Sequence, residues 1–151
     1  MSTDSKVTKN LMQVLKDGEE GFTKAAKEMS TLGFSDSSAT LERLGSERSK
    51  YYNELDKIAA TYGDDLEESS SITAALHRGW MSVKEALSGS NAKAVLDAAE
   101  QGEDHSKSTY EDALKEDIST NFRPVVQRQY EGICAAHDQV KRLRDSVKDA
   151  K

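Results

Sequence analysis

Apolar residues recur three and four positions apart along nearly the whole chain, the spacing that turns one stripe of an α-helix toward a core. The first run, about 5–32, carries Leu11, Leu15, Gly18, Phe22, Ala25 and Met29 on one face. The second, about 39–62, carries Leu41, Leu44, Arg48, Tyr51, Leu55, Ile58 and Tyr62, so an arginine occupies a core position. A shorter run over 72–87 aligns Ile72, Leu76, Trp80, Val83 and Leu87. A third long helix, about 91–116, aligns Leu96, Ala99, Tyr110 and Leu114. A fourth, from about 121, aligns Val126, Tyr130, Ile133, His137, Val140, Arg144 and Val147.

The residues between these runs mark where helices stop. Gly33 followed by Phe34 predicts a left-handed C-cap with its hydrophobic contact, and 35–38 reads as a polar linker containing N-cap residues. Gly63 ends the second run, and 64–71 is an acidic, serine-rich loop. Residues 88–91 form a stop and restart, 117–120 a turn, and Pro124 falls in a first helical turn, where its missing N–H is tolerated. No strand alternation or solenoid repeat competes with this reading. Helices of about 25 residues are each about 38 Å long. Two hairpin-like pairs joined by a longer crossover, which holds the short extra helix, predict one domain over 1–151. The expected class is all-α, an antiparallel four-helix bundle of the ferritin-like pattern.

Composition narrows the partners. The 151 residues are 36% hydrophobic and 32% charged, a balance suited to amphipathic helices with charged outer faces. A net charge of −6 and a pI near 5.1 argue against nucleic acid and anionic membranes, whose affinity rests on Lys and Arg. The basic run Lys141, Arg142, Arg144 is interleaved with Asp138, Asp145 and Asp149 and reads as a solvated face. Cys134 is the lone cysteine, so no internal disulfide forms. The start of the chain lacks an apolar leader and no stretch approaches 20 apolar residues. A cytoplasmic location is therefore expected.

The candidate chemistry lies at mid-bundle. On the third helix the stripe through Leu96 and Tyr110 also takes in Glu100 and Glu103, with Lys107 at its border. Buried carboxylates cost several kcal/mol unless a cation, a donor or a metal meets them. If the long helices pack antiparallel, Arg48, Tyr51, Glu100, Glu103 and His137 fall at about one height. Glycines recur there too, at 18, 21, 45, 102 and 132, each about 1 kcal/mol worse than alanine inside a helix. Two readings follow. The preferred one is a buried network in which Arg48 forks onto Glu103 or Glu100 while Tyr51 and His137 satisfy the remaining groups. The alternative is a divalent Fe, Mn or Zn site with Glu19, Glu100, Glu103 and His137 as ligands. A fixed cation on the same layer would repel a metal, which favours the first. The di-metal bundle pattern also needs Glu-x-x-His on two helices, whereas this chain offers Glu100-Gln101-Gly102-Glu103 and no histidine three residues after Glu47 or Glu131.

His77 and Trp80, on the crossover, suit plain packing or an interface; with the wide stripe of the first helix they can seal a homodimer. His105, beside Asp104, is expected on the outer face, and Cys134 reads as an inert buried thiol. No phosphate loop, nucleophile elbow or zinc-finger spacing is present, and no protein partner is identified.

The segments at 11–26 (LMQVLKDGEEGFTKAA), 76–80 (LHRGW), 99–114 (AEQGEDHSKSTYEDAL) and 129–144 (QYEGICAAHDQVKRLR) together resemble the small, uncharacterised bacterial four-helix-bundle proteins grouped with the ferritin-like fold. The resemblance implies a cytoplasmic ferritin-like bundle and supplies no activity. The resulting expectation is a non-enzymatic bundle with a structural or interaction role, connected to stress response, holding an Arg48/Glu100/Glu103/His137 network and no cofactor.

Overall fold

The computed structural model describes residues 3–62 and 91–149, and among these the chain forms four α-helices and no strand. They are α1 (Thr3–Thr31), α2 (Ser35–Ala59), α3 (Ala92–Lys115) and α4 (Arg123–Asp149), with one short 3₁₀ turn, Ala60–Tyr62, closing α2. The expected short helix over 72–87, with His77 and Trp80, lies outside the described residues.

The joint between α1 and α2 is tighter than a four-residue linker. Gly33 adopts φ 91°, which costs a residue without Cβ nothing. Its N–H donates to the Ser30 carbonyl (3.0 Å), and the Phe34 N–H donates to the Met29 carbonyl (2.9 Å), the paired bonds of a Schellman cap. The reversal is complete by Phe34, so Ser35 already begins α2 and 35–38 is helix, not linker. Ser38 fixes the corner: its buried hydroxyl donates to the Ala26 carbonyl at 2.7 Å. On α3, Asn91 is the N-cap, its side chain accepting from the Ala94 N–H at 2.8 Å. Arg123 closes the far end of that helix, donating to the carbonyls of Leu114 (2.7 Å) and Glu116 (3.0 Å). The same turn is tied to the start of α1, where Asp4 Oδ1 accepts from the Ser119 N–H at 2.8 Å.

α1 packs broadly against α2 and also against α3, α3 packs against α4, and α2 meets α4 along a narrower seam. Leu11, Leu15, Phe22, Met29, Leu41, Leu44, Leu55, Leu96, Ile133 and Val140 have essentially no exposure and form one continuous core. Each is worth about 1.5–3 kcal/mol of burial. Where α2 and α4 meet, Arg43 bonds Gln139 and Glu54 bonds Arg128; where α3 and α4 meet, Glu100 bonds Arg144 and Glu111 bonds Tyr130.

The buried stripe of α3 is Ala92, Leu96, Ala99, Glu103, Ser106, Tyr110 and Ala113; that of α4 is Val126, Gln129, Ile133, Ala136 and Val140. The sequence pattern of the fourth helix is therefore rotated by one residue. Val126, Ile133 and Val140 belong to both versions, but Gln129 and Ala136 take the inner positions, and Tyr130, His137 and Arg144 border the core, half-buried. No helix among the described residues is long and apolar enough to cross a membrane.

Candidate functional site

Arg48 reaches the core because it continues the stripe set by Leu41 and Leu44. Its side chain is 0% exposed, as is that of Glu103 on α3, and its Nη2 donates to Glu103 Oε2 at 2.5 Å. The guanidinium carbon lies 5.1 Å from the centroid of the Phe22 ring on α1, within cation–π range. One cation thus draws together α1, α2 and α3. The pairing uses little of the available capacity. Arg48 Nε and Nη1 and Glu103 Oε1 are buried with no hydrogen-bond partner among the described residues. Burial pushes the Glu103 carboxyl above the usual carboxylate range, against the lowering pull of Arg48. Removing one partner of such a pair costs about 3–5 kcal/mol, because a lone buried charge remains.

One turn further along α2 the surroundings change. The Tyr51 hydroxyl donates to Glu47 Oε1 at 3.2 Å, and burial together with Glu47 raises its pKa to about 12. The ring end occupies the place a Cβ on residue 132 would take: a methyl there would lie 1.8 Å from the Tyr51 oxygen. Gly132 is therefore a socket for the phenol. Next to it, the Tyr110 hydroxyl donates to Gln129 Oε1 (2.7 Å), and Gln129 Nε2 donates to Glu54 Oε1 (2.7 Å) and the Tyr51 carbonyl (3.3 Å). Glu54 is paired with Arg128 at the surface. Although burial opposes it, hydrogen bonds from Arg128 and Gln129 hold the Glu54 carboxyl below its ordinary value.

The remaining candidates separate. Glu100 turns to Arg144, which also meets Asp145, so Arg144 is part of a half-buried ion pair and not of a solvated basic face. His137 Nε2 contacts Asp104 Oδ1 at 2.6 Å, on a side chain that is 64% exposed. Tyr51 belongs with Glu47 and Gly132, and Glu19 lies along a surface groove of α1 with Thr23 and Lys27. Among the described residues no three His, Cys, Asp or Glu side chains gather as metal ligands. Glu100 and Glu19 lie with other partners, while His137, though it meets Asp104, is near enough to Glu103 to pull its carboxyl down. The physical reason is the one-residue rotation: positions 100, 137 and 144 flank the stripes and face the seam between α3 and α4 instead of the axis. His105 is half-buried, in contrast to the outer-face expectation. Cys134 is half-buried beside Tyr130, whose hydroxyl donates to Glu111 at 2.8 Å.

Among the buried polar groups that escape the sequence pattern are one acid and one amide. Asp17, 2% exposed and accepting from Gln13 Nε2 at 3.0 Å, is the acid buried next to Gly18, where the pattern favours Glu19. Gln129 is 0% exposed; the legible signal is that 126, 129, 133, 136 and 140 keep the three-and-four spacing as well as the alternative set does.

A family model described as a domain of unknown function (DUF2383) matches residues 5–116, which span α1, α2 and α3. No curated protein matches the chain.

Proposed function

Because that match takes in more than half of the chain, the protein belongs to the DUF2383 family, and from that premise we propose a non-catalytic, structural role for an antiparallel bundle of the ferritin-like kind. The contact order supports the topology. Rising numbers on α2 meet falling numbers on α4 (43 with 139, 54 with 128), and the same holds for α3 and α4 (100 with 144, 111 with 130). Two hairpins with one long connection between α2 and α3 are the connectivity associated with ferritin-like folds. The observation that carries the role is the Arg48–Glu103 pair at zero exposure. A fully buried ion pair adds little net stability, but it penalises every register in which the two charges fail to meet. On this reading it fixes which helix faces which and so presents one defined outer surface.

The test is the double variant R48M/E103L. It is expected to keep the helical circular dichroism and a melting temperature near that of the parent, since well-packed apolar replacements of buried pairs are often neutral or stabilising. It should also show several amide signals per residue and mixed sedimentation species. A single well-dispersed spectrum with unchanged sedimentation would overturn the register role. A stoichiometric transition metal retained after loading with Fe(II) or Mn(II), together with a raised melting temperature, would replace the structural reading by a metal-binding one.

A further inference from the structure

We propose that the Arg48–Glu103 pair is a buried hydration site, holding an ordered water that bridges the two side chains. A guanidinium has five N–H donors and a carboxylate about four acceptor positions, yet the two share one bond. Arg48 Nε and Nη1 and Glu103 Oε1 belong to the two head groups that this bond joins, all buried and all without a partner among the described residues. Buried polar groups in folded proteins are partnered as a rule, and internal water is the usual means, making about three hydrogen bonds to otherwise unsatisfied atoms.

The chemistry of the three atoms selects the ligand. Two are donors and one is an acceptor, so the guest must accept from Arg48 and donate to Glu103. A halide or a carboxylate only accepts, and any anion, phosphate included, would set a second negative charge against the carboxylate. An ammonium ion or a metal cation only meets the oxygen and would oppose the guanidinium. Water does both, carries no charge into a pair that is already balanced, and is small enough for a core in which every neighbouring apolar side chain is packed. The Phe22 ring does not compete, because it takes the cation through its face and forms no hydrogen bond in the guanidinium plane.

The experiment is a high-resolution crystal structure of the unmodified chain, with a companion measurement of water-to-protein cross-relaxation at the Arg48 Nε–H by NMR. The expected result is a peak about 2.6–3.2 Å from Glu103 Oε1 and from Arg48 Nε or Nη1, and a cross-peak to water at the Nε–H in solution. A pair closed into a two-bond fork with no such peak would overturn the proposal. So would a peak with an anomalous bromide signal after a bromide soak, which would make the guest an anion.

Discussion

Two polar regions share the interior of this bundle and solve opposite problems. Around Arg48 and Glu103, charges are buried completely and most of their hydrogen-bonding capacity has no protein partner among the described residues. Around Tyr110 and Gln129, neutral groups are buried as deeply, but each bond is answered, and the chain of bonds ends at Glu54 and Arg128 in contact with solvent. The contrast shows that depth alone does not set the cost of a polar group. What counts is whether its partners are all supplied, and whether its charge has a route to water.

The largest expected effect is at the charged centre. Arg48→Met should lower unfolding free energy by about 3 kcal/mol or more, measured by urea denaturation, because Glu103 is left as a buried acid without its cation. An unchanged denaturation midpoint would erase the contrast between the two regions. Next is the socket between them. Gly132→Ala drives a methyl into the Tyr51 phenol and should cost about 1–3 kcal/mol as overpacking. Combining it with Tyr51→Phe, which removes the atom in closest conflict, should recover part of that loss, so the two changes should be non-additive in a double-mutant cycle.

The sequence shows some of this and hides the rest for a definite reason. Leu11 to Met29 on α1 and Leu41 to Leu55 on α2 are read correctly because, Asp17 and Arg48 apart, apolar residues occupy the inner positions and polar ones the outer. The cap at Gly33 and Phe34 is equally legible, since only glycine takes that backbone conformation freely. On α4 the pattern is degenerate. Val126, Ile133 and Val140 fix one edge of the stripe, but the other edge can be Gln129 and Ala136 or Tyr130 and His137, and hydrophobicity prefers the tyrosine. Gln129 wins because Tyr110 and Glu54 satisfy both ends of its amide, and those partners are far away in sequence. The same ambiguity on α3 makes Glu100 look like a twin of Glu103. Arg48 and Glu103 stand out because each lies within its helix's own apolar stripe.

The charged centre should also be visible in the pH dependence of stability. Burial raises the Glu103 carboxyl in the fold above its unfolded value of about 4.3. The fold then holds a proton that the unfolded chain has released, so this contribution is complete below the unfolded value and fades as pH climbs through the raised one. Melting temperatures of the parent and Glu103→Gln, compared from acid to neutral pH, should show the parent losing ground as pH rises, by at most about 1.4 kcal/mol per unit. The opposite slope would mean that Arg48 outweighs desolvation. At the neutral network the expected change is smaller and free of pH: Tyr110→Phe removes one donor and should cost about 1 kcal/mol by denaturation at both ends of that range.

The smallest effect discriminates best between the layer the sequence suggests and the pair the fold forms. His137 looks like a member of the charged centre when the fourth helix is read from its stripe, yet it sits at the border and meets Asp104, a side chain that is 64% exposed. A contact with one partner in water is screened and gains little, about 0.2–1 kcal/mol even for exposed pairs of full charges. His137→Asn should therefore leave the denaturation midpoint nearly unchanged, and raising the salt concentration should remove what difference there is. A loss approaching that of Arg48→Met would place the imidazole inside the charged centre, because only a group whose partner is cut off from water can cost so much. In that case the division between a fully buried charged core and a neutral network that reaches solvent would have to be redrawn around three side chains instead of two.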